Sequence, residues 1–313
     1  MLSYDKIKDN SKVLQSFTGQ TQAEFEELIP AFALAWHKYE KNQRKKRKCQ
    51  RCPGGGRKAK LSTMVDRLLF ILFYLKTYPL QEVQAFMFDM SQGQANEWLH
   101  RSANVLKMTL ADLNYLPERE GERLAEILQE NETLSFVQDG SERRRQRPKD
   151  NEMQKDYYSG KKKAHTVKNH LVAHPESRRV CYLSKTAPGK THDKKLADES
   201  EIHFPPRSTL EQDTGFQGFN PAQVIVLQPT KKAKGKELSF SEKFINRCIS
   251  SGRIVVENII AGIKRCRIVK DVLRNWKCDF DDLVMELACG LHNLRVAHRS
   301  PISTINLINF YFQ

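Results

Sequence analysis

The sequence has no apolar run long enough to cross a bilayer, for which a helix needs about 20 consecutive apolar residues. Its first residues, Met1-Leu2-Ser3-Tyr4-Asp5-Lys6, lack the apolar core of a secretory leader. No membrane partner is expected. Cysteine is sparse, with seven thiols, an odd number, among 313 residues. This excludes a disulfide framework and fits reduced thiols in a cytoplasmic chain. Cys49-x-x-Cys52 is a close pair, but no second pair follows at finger spacing, so a four-ligand zinc site is not expected. Negative charge is also in short supply: 37 Asp and Glu stand against 52 Lys and Arg, a net charge of +15. Such an excess says nothing about fold, but it draws a chain to polyanions, and with membrane disfavoured that means nucleic acid. Hydrophobic residues make up 39%, enough to bury a core in one large domain or two ordinary ones.

Thr21-Gln22-Ala23-Glu24 has the form of a capping box, and Phe25, Leu28, Ile29, Phe32, Trp36 and Tyr39 then recur at helical spacing. Residues 1–40 are read as an N-terminal helical segment whose aromatic stripe belongs to a core. Residues 41–60 carry ten Lys or Arg around Gly54-Gly55-Gly56. Burial cannot offset the ordering entropy of such a segment, which is read as a flexible basic arm suited to a DNA groove. From 61 to 118 the pattern is helical: Leu68, Leu69, Leu72, Phe73 and Leu75, then Leu80, Val83, Phe86 and Met87 after Pro79, then a short turn. Ser91-Gln92-Gly93-Gln94 has the form of a second capping box. Helix, short turn, helix is the helix-turn-helix pattern, whose second helix enters the major groove N-terminus first. Gln92, Gln94 and Asn96 would then face bases, and both residue types can pair bidentately with adenine.

Glu118 to Glu132 reads as a further helix. Leu134 to Val137 reads as a buried strand that ends at Asp139-Gly140, presenting a carboxylate to a basic loop of Arg143, Arg144, Arg145, Arg147 and Lys149. Strands are expected at His165–Val172, Arg179–Ser184, Leu210–Phe216 and Val224–Leu227. A short helix through Leu196 and Ala197 precedes the third of these. A long helix begins near Ser241, with Ile254, Val255, Ile259 and Ile263 inward and Arg253, Glu257, Ala261 and Lys264 on another face. An amphipathic helix over Leu283–Ala297 follows.

Strand-Asp, two strands, helix, strand-Asp, strand, helix-Glu is the element order of a ribonuclease-H-like core. The expected fold class is α+β / α/β: a mixed sheet flanked by helices, occupying about 130–300 and preceded by an all-α helix-turn-helix domain. Three carboxylates converging from two strands and a helix suit hard divalent ions. Two such ions roughly 3.5–4 Å apart can serve an in-line displacement at phosphorus.

With this order in view, the chain resembles bacterial insertion-sequence DDE transposases, of the branch similar to harbinger-type endonucleases. The resemblance spans nearly the whole chain. It rests on Phe17-Thr18-Gly19, Gly55-Gly56-Arg57-Lys58, Phe73-Tyr74-Leu75-Lys76-Thr77-Tyr78-Pro79, Asp139-Gly140-Ser141-Glu142 and Tyr158-Ser159-Gly160-Lys161-Lys162-Lys163-x-His165-Thr166. It continues through His192-Asp193, Asp213-Thr214-Gly215-Phe216-Gln217-Gly218, Asn246-Arg247, Arg253-Ile254-x-Val256-Glu257, Lys264-Arg265 and Leu291-His292-Asn293. Cys49, Cys52 and Phe216, where a tyrosine would be expected, depart from the pattern.

The resemblance implies a catalytic triad of Asp139, Asp213 and Glu257 holding Mg²⁺ (or Mn²⁺). Asp193 would be a further metal candidate or, alternatively, a residue that orients its helix. Arg57, Lys58, Lys161, Lys162, Lys163, Arg253 and Lys264 would contact DNA, and for His165 and His192 phosphate contact and ordinary packing both stand. It implies an enzyme that binds terminal inverted repeats, nicks the element ends and joins the 3′ ends to target DNA. The expected partners are double-stranded DNA and further copies of the chain on DNA, and the expected location is the cytoplasm, at the nucleoid. The alternative is a catalytically inactive or co-opted DNA-binding protein.

Overall fold

The computed structural model describes residues 1–47, 59–128, 134–230 and 237–299. The chain divides into two compact units. The first comprises Met1–Leu116, Lys264–Asp271 and Lys277–Leu291, and the second Pro117–Ile263, Val272–Trp276 and the chain from His292.

The first unit opens with a 3₁₀ turn at Tyr4–Lys6, then α1 (Ser11–Thr18), α2 (Gln22–Arg47), α3 (Met64–Thr77), α4 (Gln81–Met87) and α5 (Gln92–Asp112). The box at the start of α2 forms: Thr21 N–H donates to Glu24 Oε2 at 2.8 Å, and Glu24 N–H to Thr21 Oγ1 at 3.3 Å. Phe25, Leu28, Phe32 and Trp36 are fully buried, while Ile29 and Tyr39 are half-buried. Residues 41–47, expected in a flexible arm, are helical instead. Lys, Arg and Gln are good helix formers, and an established helix propagates easily into them. Residues 48–58 of the arm, with Cys49, Cys52, Arg57 and Lys58, lie outside the described residues. Every residue of α3 from Leu68 to Leu75 is buried, so it is the unit's central helix rather than an amphipathic one.

The second unit contains α6 (Gly121–Leu128), β1 (Ser135–Arg144), α7 (Asn151–Tyr157), β2 (Tyr158–Ser159), β3 (Ala164–Ala173), β4 (Val180–Leu183), β5 (Ala187–Pro188), α8 (Asp193–Asp198), β6 (Thr209–Glu211), β7 (Ile225–Leu227) and α9 (Phe240–Ile263). The chain continues through α10 (Arg267–Lys270) and α11 (Phe280–Arg299). The sheet order is β2-β3-β1-β6-β7, with β4 and β5 also paired to β3. β1 runs antiparallel to β3 and parallel to β6, and β6 is parallel to β7. The architecture is therefore helix-rich with a mixed sheet and a helical N-terminal region, as expected.

Four expectations need correction. Asp139-Gly140 does not end the first strand. β1 continues to Arg144, because β3 supplies ladder partners from Val137↔Ala173 to Arg144↔Thr166, and a paired edge overrides a local turn preference. Arg143 is accordingly not in a solvated loop. It is buried and donates to Asn169 Oδ1 at 2.7 Å. Glu118 precedes α6 and bridges Tyr182, exchanging backbone bonds with Cys181 and Leu183. Finally, Val256, Ile259 and Ile263 form the inward face of α9, while Ile254 is 58% exposed. The 3.6-residue period counted back from Ile263 reaches 256, not 254.

Alternation along β1 and β6 gives their ends two different faces. Phe136 and Leu210 enter the buried core with Leu124, Ala197 and Phe216, on the side of α6 and α8. Val137, Asp139, Glu211 and Asp213, with atoms of the intervening Gln138 and Gln212, line a cleft with Val256 and Glu257 of α9.

Candidate active site and nucleic-acid interface

Asp139 lies within β1, beside the C-terminal end of the parallel pair β1–β6, where Val137 opposes Glu211. Asp213 follows β6 and caps the 3₁₀ turn Thr214–Phe216, its Oδ1 accepting the Thr214 N–H at 2.6 Å. Asp139 Oδ1 similarly accepts the N–H of Gly140 at 2.7 Å. Glu257 is an exposed residue of α9, directly after the buried Val256 that seats the helix. All three residues line one narrow cleft. An all-oxygen anionic donor set of this kind fits a hard divalent ion that keeps some of its waters. Among the described residues, no three acidic, His or Cys side chains already stand close enough to enclose an ion.

A fourth carboxylate in the cleft, Glu211, was not anticipated. It is half-buried, one side-chain oxygen has no hydrogen-bond partner among the described residues, and burial raises its pKa above the usual carboxylate value. The spacing Glu211-x-Asp213 carries the signal, since residues two apart on a strand share a face.

Asp193, at the first turn of α8, sits on the other side of the strands. Its Oδ1 accepts from Lys168 Nζ at 3.2 Å. A Cβ added to Gly140 would fall 2.9 Å from Asp193 Oδ1, and one added to Gly215 would fall 3.0 Å from Oδ2. The two glycines beside the candidate aspartates are thus what lets the Asp193–Lys168 pair approach the backbone. His192 is the N-cap residue of α8, without a side-chain cap bond. The His165 ring meets the Tyr158 ring edge-on at 5.7 Å.

In the helical unit, α5 starts as expected. Ser91 Oγ accepts the Gln94 N–H at 3.3 Å, and Gln94 Oε1 accepts the Ser91 N–H at 3.1 Å. Gln94 is therefore occupied with its own helix start. Gln92 donates to Gln81 Oε1 at 2.5 Å, and Gln81 donates to Asn96 Oδ1 at 3.2 Å. Gln94 also lines an open groove of about 510 Å³ with Lys60, Phe86, Ser91 and Trp98. Ala95 and Leu99 are buried beneath, and Trp98 stacks on Trp36 with centroids 5.6 Å apart. Lys161, Lys162 and Lys163 are exposed in the turn between β2 and β3, and Lys264 is half-buried just beyond α9. The side chain of Arg253 lies outside the described residues.

Two family models match the chain, in the order of these two regions. The helix-turn-helix of DDE superfamily endonuclease matches residues 59–111, and DDE superfamily endonuclease matches residues 138–293, from just before Asp139 to beyond Glu257. The chain belongs to the DDE superfamily endonucleases. This endonuclease is also 28% identical over 242 residues to a probable transposase for insertion sequence element IS702 of Microchaete diplosiphon. That alignment covers 77% of the endonuclease and 84% of the relative. No solved structure matches it. Among the described residues no helix is long and apolar enough to cross a membrane, and a helix-turn-helix joined to an endonuclease domain makes DNA its partner.

Proposed function

We propose that the endonuclease is the transposase of an insertion sequence: it binds the element's terminal inverted repeats, nicks the element ends and joins the freed 3′ ends to target DNA. The observation that carries this reading is the meeting of Asp139, Asp213 and Glu257 in one cleft. Similarity to a probable insertion-sequence transposase over most of both chains supports it. Asp139, Asp213 and Glu257 would hold Mg²⁺ (or Mn²⁺). When bound, divalent ions supply charge neutralisation at the phosphate and a lower pKa for the attacking water or hydroxyl. In nicking, water oxygen forms a bond to phosphorus and the bond to the 3′ oxygen breaks, leaving a 3′ hydroxyl and a 5′ phosphate. In joining, that 3′ hydroxyl attacks a target phosphorus in line, the bond from that phosphorus to the target's own 3′ oxygen breaks, and the proton lost by the attacking hydroxyl is balanced by the one gained by the released target 3′ hydroxyl.

The chain's own residues divide the remaining work. Gln92, Gln94 and Asn96 face base edges. The basic arm, with Arg57 and Lys58, serves a DNA groove beside the helix-turn-helix, and Lys161, Lys162, Lys163, Arg253 and Lys264 contact phosphates. The placement of Asp193 supports an orienting role, because its bond to Lys168 and its packing on Gly140 and Gly215 hold α8 against both aspartate-bearing segments. The working form is an assembly of copies on DNA, at the nucleoid.

The test is a nicking and strand-joining assay on a duplex carrying the DNA that flanks the gene, with and without Mg²⁺, beside a binding assay. Metal-dependent nicking at a repeat end is expected. Repeat binding without cleavage under any divalent ion would instead make the protein a DNA-binding module.

A further inference from the structure

Asp139 and Asp213 are each preceded by a glutamine, and those two side chains meet. Gln138 and Gln212 are 2% and 1% exposed, and Gln138 Nε2 donates to Gln212 Oε1 at 2.6 Å. The link crosses from β1 to β6, between the strands that deliver the two aspartates. It is held at both ends. His170 of β3, also buried, lies with Nε2 2.9 Å from Gln138 Oε1. Because Gln138 Oε1 is an acceptor, Nε2 of a neutral His170 carries the proton in this arrangement. At the other end, Gln212 Nε2 donates to the carbonyl of Phe216, in the turn that Asp213 caps, at 3.4 Å and to that of Phe219, three residues further on, at 3.3 Å. A single row of donors therefore runs from β3 through β1 and β6 into the Asp213 turn.

Core packing alone does not call for this row. On the same face, Phe136 and Leu210 pair without polar atoms, and burying an amide is unfavourable unless its hydrogen bonds are made. What the row provides is a fixed lateral distance: amide bonds have a narrow length range, whereas apolar contacts slide. Residues adjacent along a strand point to opposite faces, so a link fixed on one face sets the spacing of the carboxylates on the other.

We propose that Gln138 and Gln212, anchored by His170, are positioning residues that set the separation of Asp139 and Asp213 and thereby the affinity of the site for its divalent ions. This rests on the reading that these aspartates hold metal.

The experiment uses the full chain and Mn²⁺ as the probe. Binding is followed by electron paramagnetic resonance, and nicking of a repeat duplex is titrated with Mn²⁺ in parallel. Gln138→Leu and Gln212→Leu are expected to raise the half-saturating Mn²⁺ concentration by about 10-fold or more in both readouts, the usual scale for losing a group that orients a ligand, with KM for DNA unchanged. Should the leucine variants fail to fold, Gln138→Asn and Gln212→Asn keep an amide that is one methylene too short, and the same shift is expected. His170→Gln, which can place an amide N–H where Nε2 stands, is expected to keep wild-type Mn²⁺ affinity, while His170→Leu shifts it. A merely structural role would lower the melting temperature without moving the Mn²⁺ constant, and that result in the glutamine variants overturns the proposal. Asp139→Asn separates the two ideas. If it loses Mn²⁺ binding while the glutamine variants stay at wild type, the positioning role alone fails; if it also keeps Mn²⁺ binding and cleavage, the metal reading itself fails.

Discussion

Each unit of the endonuclease carries a row of side-chain amides, and the two rows differ in surroundings rather than chemistry. Gln92, Gln81 and Asn96 link up at exposed or half-buried positions. Gln138 and Gln212 link up, with His170, in the interior. A surface amide bond trades against water and contributes on the order of 1 kcal/mol or less, while a buried amide deprived of its partner costs about 1–3 kcal/mol. The exposed row can give up its bonds to a base edge at little cost. The buried row holds a distance. Similar residues thus suit reading in one unit and positioning in the other.

The largest effect that would sharpen the contrast concerns what the buried row is argued to position. Asp139→Asn, Asp213→Asn and Glu257→Gln are each expected to reduce strand cleavage by at least about 10³-fold, as when one member of a catalytic unit is removed. Repeat binding should remain near wild type. Without metal these variants should melt no lower than wild type, since each relieves like-charge repulsion. Near-wild-type cleavage in any of them removes that residue from the site.

The interior row also predicts a pH signature. Burial lowers the pKa of His170 to about 3, so the native state refuses a proton that the unfolded chain accepts near 6.5. Where the unfolded state binds more protons, stability rises with pH. It should therefore fall as the pH drops from about 6.5 towards 3. Half-buried His100, lowered to about 4 by burial and by Lys277, adds to the slope over the upper part of that range. Acid titration of stability in His170→Gln beside wild type checks this, and an unchanged slope would show that His170 is not the group responsible.

A third, smaller effect tests the glycines. Gly140→Ala places a Cβ 2.9 Å from Asp193 Oδ1, and such overpacking costs about 1–3 kcal/mol. A lower melting temperature with partial loss of cleavage is expected, and Gly140→Ala/Asp193→Ala should recover stability. If the double variant melts like the single one, the contact is not the cause.

How much of this was legible beforehand follows from the kind of signal involved. Both capping boxes, at Thr21 and Ser91, formed as read, because a cap is local chemistry four residues long. The sheet's element order was also readable, because apolar runs bounded by turn residues are local. The course of β1 past Gly140 was not, since its partner β3 begins twenty residues beyond Arg144. Nor was the buried Arg143, whose partner is Asn169. In the site, the three candidate carboxylates came from element order and resemblance. Glu211 needed only the alternation rule applied to the strand expected over Leu210–Phe216, which in fact ends at Glu211. The Gln138–Gln212 link needed the parallel register of β1 against β6, which nothing within either segment reveals.

The exposed row supplies the smallest and sharpest test. Asn96→Ala and Gln92→Ala should change stability by no more than about 0.5 kcal/mol, yet cost about 1–3 kcal/mol on repeat DNA wherever the side chain reads a base edge. Gln94 is the harder case, because its side chain already closes the capping box with Ser91. Gln94→Ala removes the cap interaction and any base contact together. Gln94→Glu separates them: glutamate serves in a capping box as well as glutamine does, but an ionised carboxylate cannot donate to adenine N7. Gln94→Glu is therefore expected to keep wild-type stability while weakening binding to repeat DNA, with the loss concentrated at one base pair when that pair is varied. Simple repulsion from phosphate would instead weaken binding by a uniform amount across sequences. If Gln94→Glu loses no more affinity than that uniform amount, Gln94 belongs to its helix start and the base reader is Gln92 or Asn96.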